Sequence, residues 1–295
     1  MASAVKSILI TGASSGIGKA TATRLAQHGW RVFAAVRKEE DARKLEAESK
    51  GALEAVLLDV TKRESITAAA KEVPKRLEGR GLDGLFNNAG IGATAPVEYM
   101  PVDQVRAIFE VNLFGQIGVI QAFLPLLRKA RGRIINSGSV GDHITPPFGG
   151  ALAGSKAAFA SFSAALRMEL RPQGIAVCLL EPGAILTPAV EKTLGGVEKT
   201  ISELPAEGRA LYGEGMRSLA RAFTQMEREG SPPEVVAAVV ERALTERHPS
   251  TRYPAGKESR KLALLARFLP EKLVDRAILK AFGMPQAFLK PARPA

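Results

Sequence analysis

Cysteine, tyrosine and long apolar runs are all scarce in this chain, and each scarcity removes a class of explanation. The single cysteine, Cys178, excludes an internal disulfide and points to a reducing, cytoplasmic setting. No uninterrupted apolar run of about 18 residues occurs, as a membrane span would need. The first strand signal begins at Ile8, so no signal peptide is expected and the chain reads as soluble. Aromatic residues make up only 5% against 46% hydrophobic overall, so the core must be built from small aliphatic side chains, as when helices pack closely on a parallel sheet. A formal charge of +11 would suit an anionic cofactor, a nucleic acid or an anionic membrane surface. Nucleic acid is not an expected partner, because no binding motif is present and no aromatics interleave with the basic residues. No metal site is expected either, and no internal repeat or low-complexity tract interrupts the chain.

What is present is organised around Ile8-Leu9-Ile10-Thr11-Gly12-Ala13-Ser14-Ser15-Gly16-Ile17-Gly18. A short apolar run reads as a buried parallel strand, breaks into a turn with three glycines, and continues into a helix over Lys19 to His28, with Gly29 as its C-terminal stop. Such a turn lets backbone approach a diphosphate closely, and the helix N-terminus favours its charge. The spacing is G-x-x-x-G-x-G rather than the commoner G-x-G-x-x-G.

Further strand signals follow at Arg31 to Val36, Leu53 to Leu58, Leu82 to Phe86, Arg133 to Ser137, Ala176 to Leu180 and Thr251 to Tyr253, with helical segments between them. The alternation predicts an α/β fold, a doubly wound parallel sheet of about seven strands in a single domain, residues 1–256. Within it, 184–230 reads as a substrate-covering insertion, and 257–295 as a basic, amphipathic helical extension.

Arg37 stands after the second strand, where an acidic residue would meet a ribose 2′-hydroxyl; an Arg there accommodates a 2′-phosphate, so NADP(H) is expected over NAD(H). Asn87-Asn88-Ala89-Gly90 ends the fourth strand at the edge where open parallel sheets bind ligands, although Asn87 would equally serve to link neighbouring strands. Asn112 lies in an apolar helical stretch and needs partners.

The TGASSGIG at Thr11–Gly18, the NNAG at Asn87–Gly90, then Asn112, Ser139, Lys156 and a Pro-Gly followed by Thr187 resemble the short-chain dehydrogenase/reductase family. The order and spacing match from about Val5 to Thr187. The GSVG segment with its PPF loop, Arg37 and the Arg-Tyr-Pro-Ala-Gly stretch look most like the hydroxysteroid and retinol dehydrogenase branch. That resemblance implies a Rossmann-type fold, hydride transfer between a nicotinamide coenzyme and a carbonyl, lipophilic substrates, and homodimers or homotetramers built on the long helices. By position it implies that Gly12, Ser14, Ser15, Gly16, Ile17 and Gly18 hold the diphosphate and Arg37 the 2′-phosphate. Asp59 and Val60 would meet the adenine, Asn87, Ala89 and Gly90 the adenosine ribose side, and Pro182, Gly183 and Thr187 the nicotinamide. Ser139 would hydrogen-bond the substrate oxygen, Lys156 the nicotinamide ribose, and Asn112 a proton-relay water.

One position departs from the family pattern. The family places a Tyr four residues before the Lys, and here that residue is Leu152, which has no proton to give. Tyr212 in the insertion, His143 near Ser139, or Lys156 itself are the candidates to supply an acid; His143 could also be an ordinary loop histidine beside Asp142. Four readings stay open: an NADP(H)-dependent oxidoreductase on a lipophilic carbonyl or alcohol with an atypical site, a non-redox isomerase, cyclase or dehydratase on the same scaffold, a coenzyme-binding protein without turnover, and an inactivated Tyr→Leu variant. The basic tail would cover a substrate, contact a subunit or lie on an anionic membrane as a peripheral helix.

Overall fold

The computed structural model describes residues 5–187 and 196–289; residues 188–195 of the insertion and 290–295 of the extension lie outside it. Seven strands form one parallel sheet: β1 (Ser7–Thr11), β2 (Arg31–Val36), β3 (Leu53–Leu57), β4 (Gly84–Asn87), β5 (Arg133–Ser137), β6 (Ala176–Pro182) and β7 (Arg252–Ala255). Their order is β3-β2-β1-β4-β5-β6-β7, so connections run outward in both directions from the β1–β4 junction. In a sheet of this Rossmann type the crevice for a nucleotide opens at the carboxyl ends of the strands flanking that junction.

Both faces of the sheet are covered, which is why its strands are continuously apolar. Side chains alternate between faces, so Ile8 and Ile10 enter one core with Ala22 and Leu25 of α1 (Gly16–Gln27) and Val236 and Val240 of a helix at Pro233–Thr245. Leu9 points the other way, into a second core with Val73, Phe123, Phe159 and Leu166 from the helices Arg63–Arg76, Gln116–Ala130 and Gly150–Leu170. Glu39–Glu48 is α2 and Arg63–Arg76 is α3; Val102–Phe109, Gln116–Ala130 and Gly150–Leu170 are α4, α5 and α6.

Several boundaries differ from those the sequence predicts, each for a local reason. The fourth strand starts at Gly84 because the Leu82 N–H is taken by Leu126 O, at 3.0 Å, outside the ladder. The sixth runs on to Pro182, since Glu181 and Pro182 still pair with Pro254 and Ala255. The long helical stretch is interrupted by a π turn at Glu110–Gly115 that contains Asn112. Taken whole, Val102–Ala130 is long and apolar enough to cross a membrane by length and composition; Ile108, Val119, Phe123 and Leu127 within it are buried in the protein. The tail is not one helix. It divides into Ser259–Phe268 and Glu271–Ala281, because Pro270 disfavours helical backbone at the residue before it.

Among the described residues, the insertion supplies the helices Val197–Glu203 and Ala206–Arg228, whose Val197, Ile201, Met216 and Leu219 form a third core with Phe148, Phe282 and Met284. The end of the tail is therefore packed on the insertion. Leu264, Leu269 and Leu273, farther back along it, stay exposed.

Candidate active site

The turn after β1 is shaped by what a side chain would strike. Gly12 and Gly16 have φ of +65° and +55°, a region that L side chains rarely adopt. A Cβ on Gly12 would lie 2.9 Å from Ala89 Cα, which brings the loop after β4 against the turn. Asn88 locks the two together: its Nδ2 donates to Thr11 O at 3.0 Å and Gly12 O at 3.2 Å, while Thr11 Oγ1 accepts from Asn88 N and Ala89 N at 2.9 and 3.0 Å. No side chain caps the N-terminus of α1 and no acidic residue stands in its first turn. The positive end of the helix is thus available to an anion, with Ser14 and Ser15 exposed beside it. Thr187 stands across the turn, its Cβ at 3.4 Å from where a Cβ on Gly16 would be. This glycine cradle fits a dinucleotide diphosphate.

Arg37 is exposed at the end of β2, and its charge reaches Asp59 at the end of the neighbouring strand. Burial would raise the Asp59 carboxyl, but hydrogen bonds from Thr61 and the charges of Arg37 and Lys62 hold it below the usual range. Val60 is buried against the π turn, where a Cβ on Gly115 would strike its carbonyl oxygen at 2.6 Å. Asn87 serves as the strand link: its Nδ2 donates to Asn136 Oδ1 at 2.9 Å, and Asn136 Nδ2 donates to Ser163 Oγ at 2.8 Å.

Beyond Gly90 the loop meets the reaction side of the crevice. The position of a Cβ on Gly90 is 3.3 Å from Asn112 Oδ1 and 3.6 Å from Lys156 Nζ. Asn112 accepts from Ile91 N and donates to Ile91 O and Ser155 Oγ, all at 2.9 Å, so both its amide hydrogens tie the loop to α6. Ser155 Oγ in turn donates to the carbonyl of Leu152 at 2.7 Å. Lys156 Nζ donates to Ser137 O at 2.7 Å. Burial brings its ammonium down to about 8, opposed by the charge of Asp142. Ser139 begins a short turn, Val140–Asp142, and its Oγ accepts from Gly141 N at 3.0 Å. Gly183 is fixed by its own N–H to Ala255 O at 2.9 Å, next to Pro182.

Of the candidates other than Lys156, Tyr212 and His143 both lie against carboxylates, and the remaining buried phenol, Tyr253, does the same. The Tyr212 phenol donates to Glu98 at 2.7 Å and its ring lies edge-on to Tyr99 and Phe148. The Tyr253 phenol donates to Glu246 at 2.6 Å. His143 Nε2 is 3.0 Å from Glu181 Oε1 and 3.0 Å from Arg252 Nη1. Asp142, His143 and Glu181 converge within 4.8 Å of one another, as metal ligands would, but the Arg252 guanidinium already donates to both carboxylates.

Three elements of this arrangement carry no sequence signal of their own: the Asn88 lock, the Ser137 carbonyl under Lys156, and the Arg252 bridge. Asp142 and Arg252 are 110 positions apart.

Fold and crevice together define a Rossmann-type α/β scaffold with a lysine reaching into its crevice. Residues 6–196 match the short chain dehydrogenase model, and the chain belongs to that family. Among curated relatives it is 38% identical over 275 residues to retinol dehydrogenase 16 of Mus musculus, covering 92% of this chain and 86% of that one. It is 36% identical over 282 residues to the 17-beta-hydroxysteroid dehydrogenase type 6 of Rattus norvegicus, with 92% and 86% covered. Among solved structures, a short-chain dehydrogenase from Streptomyces avermitilis superposes with a TM-score of 0.75 at 27% identity, covering 96% and 97%. An alcohol dehydrogenase from Thermococcus sibiricus complexed with 5-hydroxy-NADP gives 0.65 at 25%, covering 84% and 94%.

Proposed function

We propose that this protein is an NADP(H)-dependent oxidoreductase that interconverts a carbonyl and an alcohol on a lipophilic substrate, with Lys156 as the proton donor in place of a phenol. One observation carries the reading. Lys156 reaches the crevice beside Gly90 and Asn112 with its ammonium brought down to about 8, near enough to neutrality for general acid and base work.

Gly12 and Gly18 let the turn close on Ala89 and Asn88, the backbone of that turn and the N-terminus of α1 would hold the diphosphate of a coenzyme, and exposed Arg37 would pair a 2′-phosphate. The chemistry the coenzyme supplies when bound is hydride exchange with the carbonyl carbon. Ser139 Oγ, partly buried and accepting from Gly141 N, retains its own proton to donate to the substrate oxygen. Lys156 gives a proton to that oxygen in reduction and is recharged from solvent; in oxidation it takes the proton back. Asn112 and Ser155 hold the first turn of α6, and so Leu152 and Lys156, in register with the loop after β4. The relatives named for retinol and for a hydroxysteroid support the lipophilic substrate class. The test is NADPH consumption with a panel of lipophilic ketones, on this protein, on Lys156→Met and on Leu152→Tyr. Consumption that Lys156→Met abolishes supports the reading. Product formed without NADPH consumption overturns it in favour of non-redox chemistry.

The proposal extends to where the protein works. Exposed Leu264, Leu269 and Leu273, with Arg260, Lys261, Lys272 and Arg276 on the same two tail helices, suit a peripheral contact with an anionic membrane from the cytoplasmic side. Exposed Phe114 and Met168 on the long-helix segment and α6 suit a homodimer or homotetramer contact. Co-sedimentation with anionic vesicles and light scattering test the two; no pelleting at low salt and a monomeric mass would overturn them.

A further inference from the structure

Two buried carboxylates share one guanidinium, one of them on the turn packed against the helix of Lys156. The side chains of Asp142 and Glu181 are only 2% and 3% exposed, and both accept from Arg252 Nη1, Asp142 through Oδ2 at 2.8 Å. His143 Nε2 sits 3.0 Å from Glu181 Oε1 and 3.6 Å from Asp142 Oδ1. Two carboxylates against one guanidinium leave one negative charge over in this cluster. The structure also shows where it is least committed: Asp142 Oδ1 is buried and has no hydrogen-bond partner among the described residues.

The turn that carries Asp142 packs against α6, the helix of Lys156. On its other side, Lys156 donates to Ser137 O, a neutral carbonyl. Gly90 and Asn112, which meet it at the loop after β4, are neutral as well. A buried ammonium with neutral neighbours tends to lose its proton, and a nearby carboxylate opposes that loss.

We infer that Asp142 is a positioning residue for Lys156: clamped by Arg252, it supplies the negative charge that keeps the lysine protonated in a site that has no tyrosine beside it. Burial leaves the Asp142 carboxyl above its usual range, Glu181 adding to the rise, and the hydrogen bond from Arg252 is what favours its ionised form. The Asp142 charge in turn raises Lys156 against the effect of burial. Arg252 and Glu181 come from β7 and β6, so the cluster is braced by the sheet and not by the loop alone.

This inference rests on the reading of Lys156 as the proton donor, and its test is independent of turnover. The carbon next to the Lys156 amine is followed by NMR through a pH titration, its signal assigned by loss in Lys156→Met. The expected result is that Asp142→Asn lowers the Lys156 midpoint from about 8 by about one unit, and Asp142→Glu restores most of the difference. A purely structural role would lower the melting temperature and leave the midpoint in place. Should Asp142→Asn fail to fold, Glu181→Gln removes the same surplus charge and must move the midpoint in the same direction. A midpoint unmoved in the folded variants overturns the inference. A shifted midpoint in a protein that reduces no carbonyl keeps the Asp142 assignment and drops the reductase reading; turnover without a shift does the reverse.

Discussion

Gly18 lies directly against Asn88: a Cβ at position 18 would sit 2.6 Å from Asn88 Nδ2 and 2.3 Å from the carbonyl oxygen of Gly12. The first turn of α1 and the loop after β4 are therefore one unit, held by backbone contact that no side chain can enter. Gly18→Ala must push them apart. It is expected to cost about 1–3 kcal/mol by overpacking and to abolish saturable NADPH binding. Thermal melting with and without NADPH measures both, and an alanine variant that binds as tightly as the parent would show that the glycine cradle is not the diphosphate site.

Lys156 predicts a pH dependence of opposite sign in the two directions. Donation needs the ammonium, so carbonyl reduction falls as pH rises through about 8, whereas alcohol oxidation, which needs the free amine, rises through the same value. Lys156→Met should remove roughly 10²–10⁴ in rate in both directions, and Leu152→Tyr should raise the reduction rate by a similar order. Initial rates across pH decide it; a flat profile around 8 would exclude lysine as the acid.

The same group should leave a mark on stability. In the folded chain the ammonium is brought from its ordinary 10.5 to about 8, so between these values the unfolded state binds more protons. Stability contributed at this position therefore rises as pH climbs from about 8 to 10.5. Urea unfolding of the parent minus Lys156→Met isolates the contribution, and a difference independent of pH across that window would contradict it.

Asn87 and Asn136 form a pair inside the sheet, with Asn87 Oδ1 already lacking a partner among the described residues. Asn136→Ala would leave Asn87 Nδ2 unsatisfied too, at a cost of about 1–3 kcal/mol. NADPH affinity should change little if Asn87 works as a strand link. Chemical denaturation and a coenzyme titration on the same variant separate the two roles.

Arg37 is exposed and its pairing with a phosphate would be partly solvated. Arg37→Ser is expected to weaken NADPH binding by about tenfold or more with little effect on NADH. Equal losses for the two coenzymes would remove the argument for a 2′-phosphate contact.

The amino-acid sequence alone determined the alternation of strands and helices, the glycine turn and the order of Ser139, Leu152 and Lys156, because each depends on residues within a few positions of one another. The Ile8-Leu9-Ile10 run is apolar because both faces of the sheet are covered, and that needs no knowledge of which helix covers which face. The partner of each polar group was settled only by tertiary structure. Asn87 was compatible with a ligand, a neighbouring strand or both, and the register that puts it opposite Asn136 supplied the strand partner. Asn112 needed partners but did not reveal that a π turn would present it to Ile91 and Ser155. His143 could have been a free acid or a loop residue; Glu181 and Arg252, brought in from separate strands, made it part of a charge cluster. Local pattern follows from short-range sterics and burial. The pairing of buried charges follows from which distant strands the sheet lays side by side.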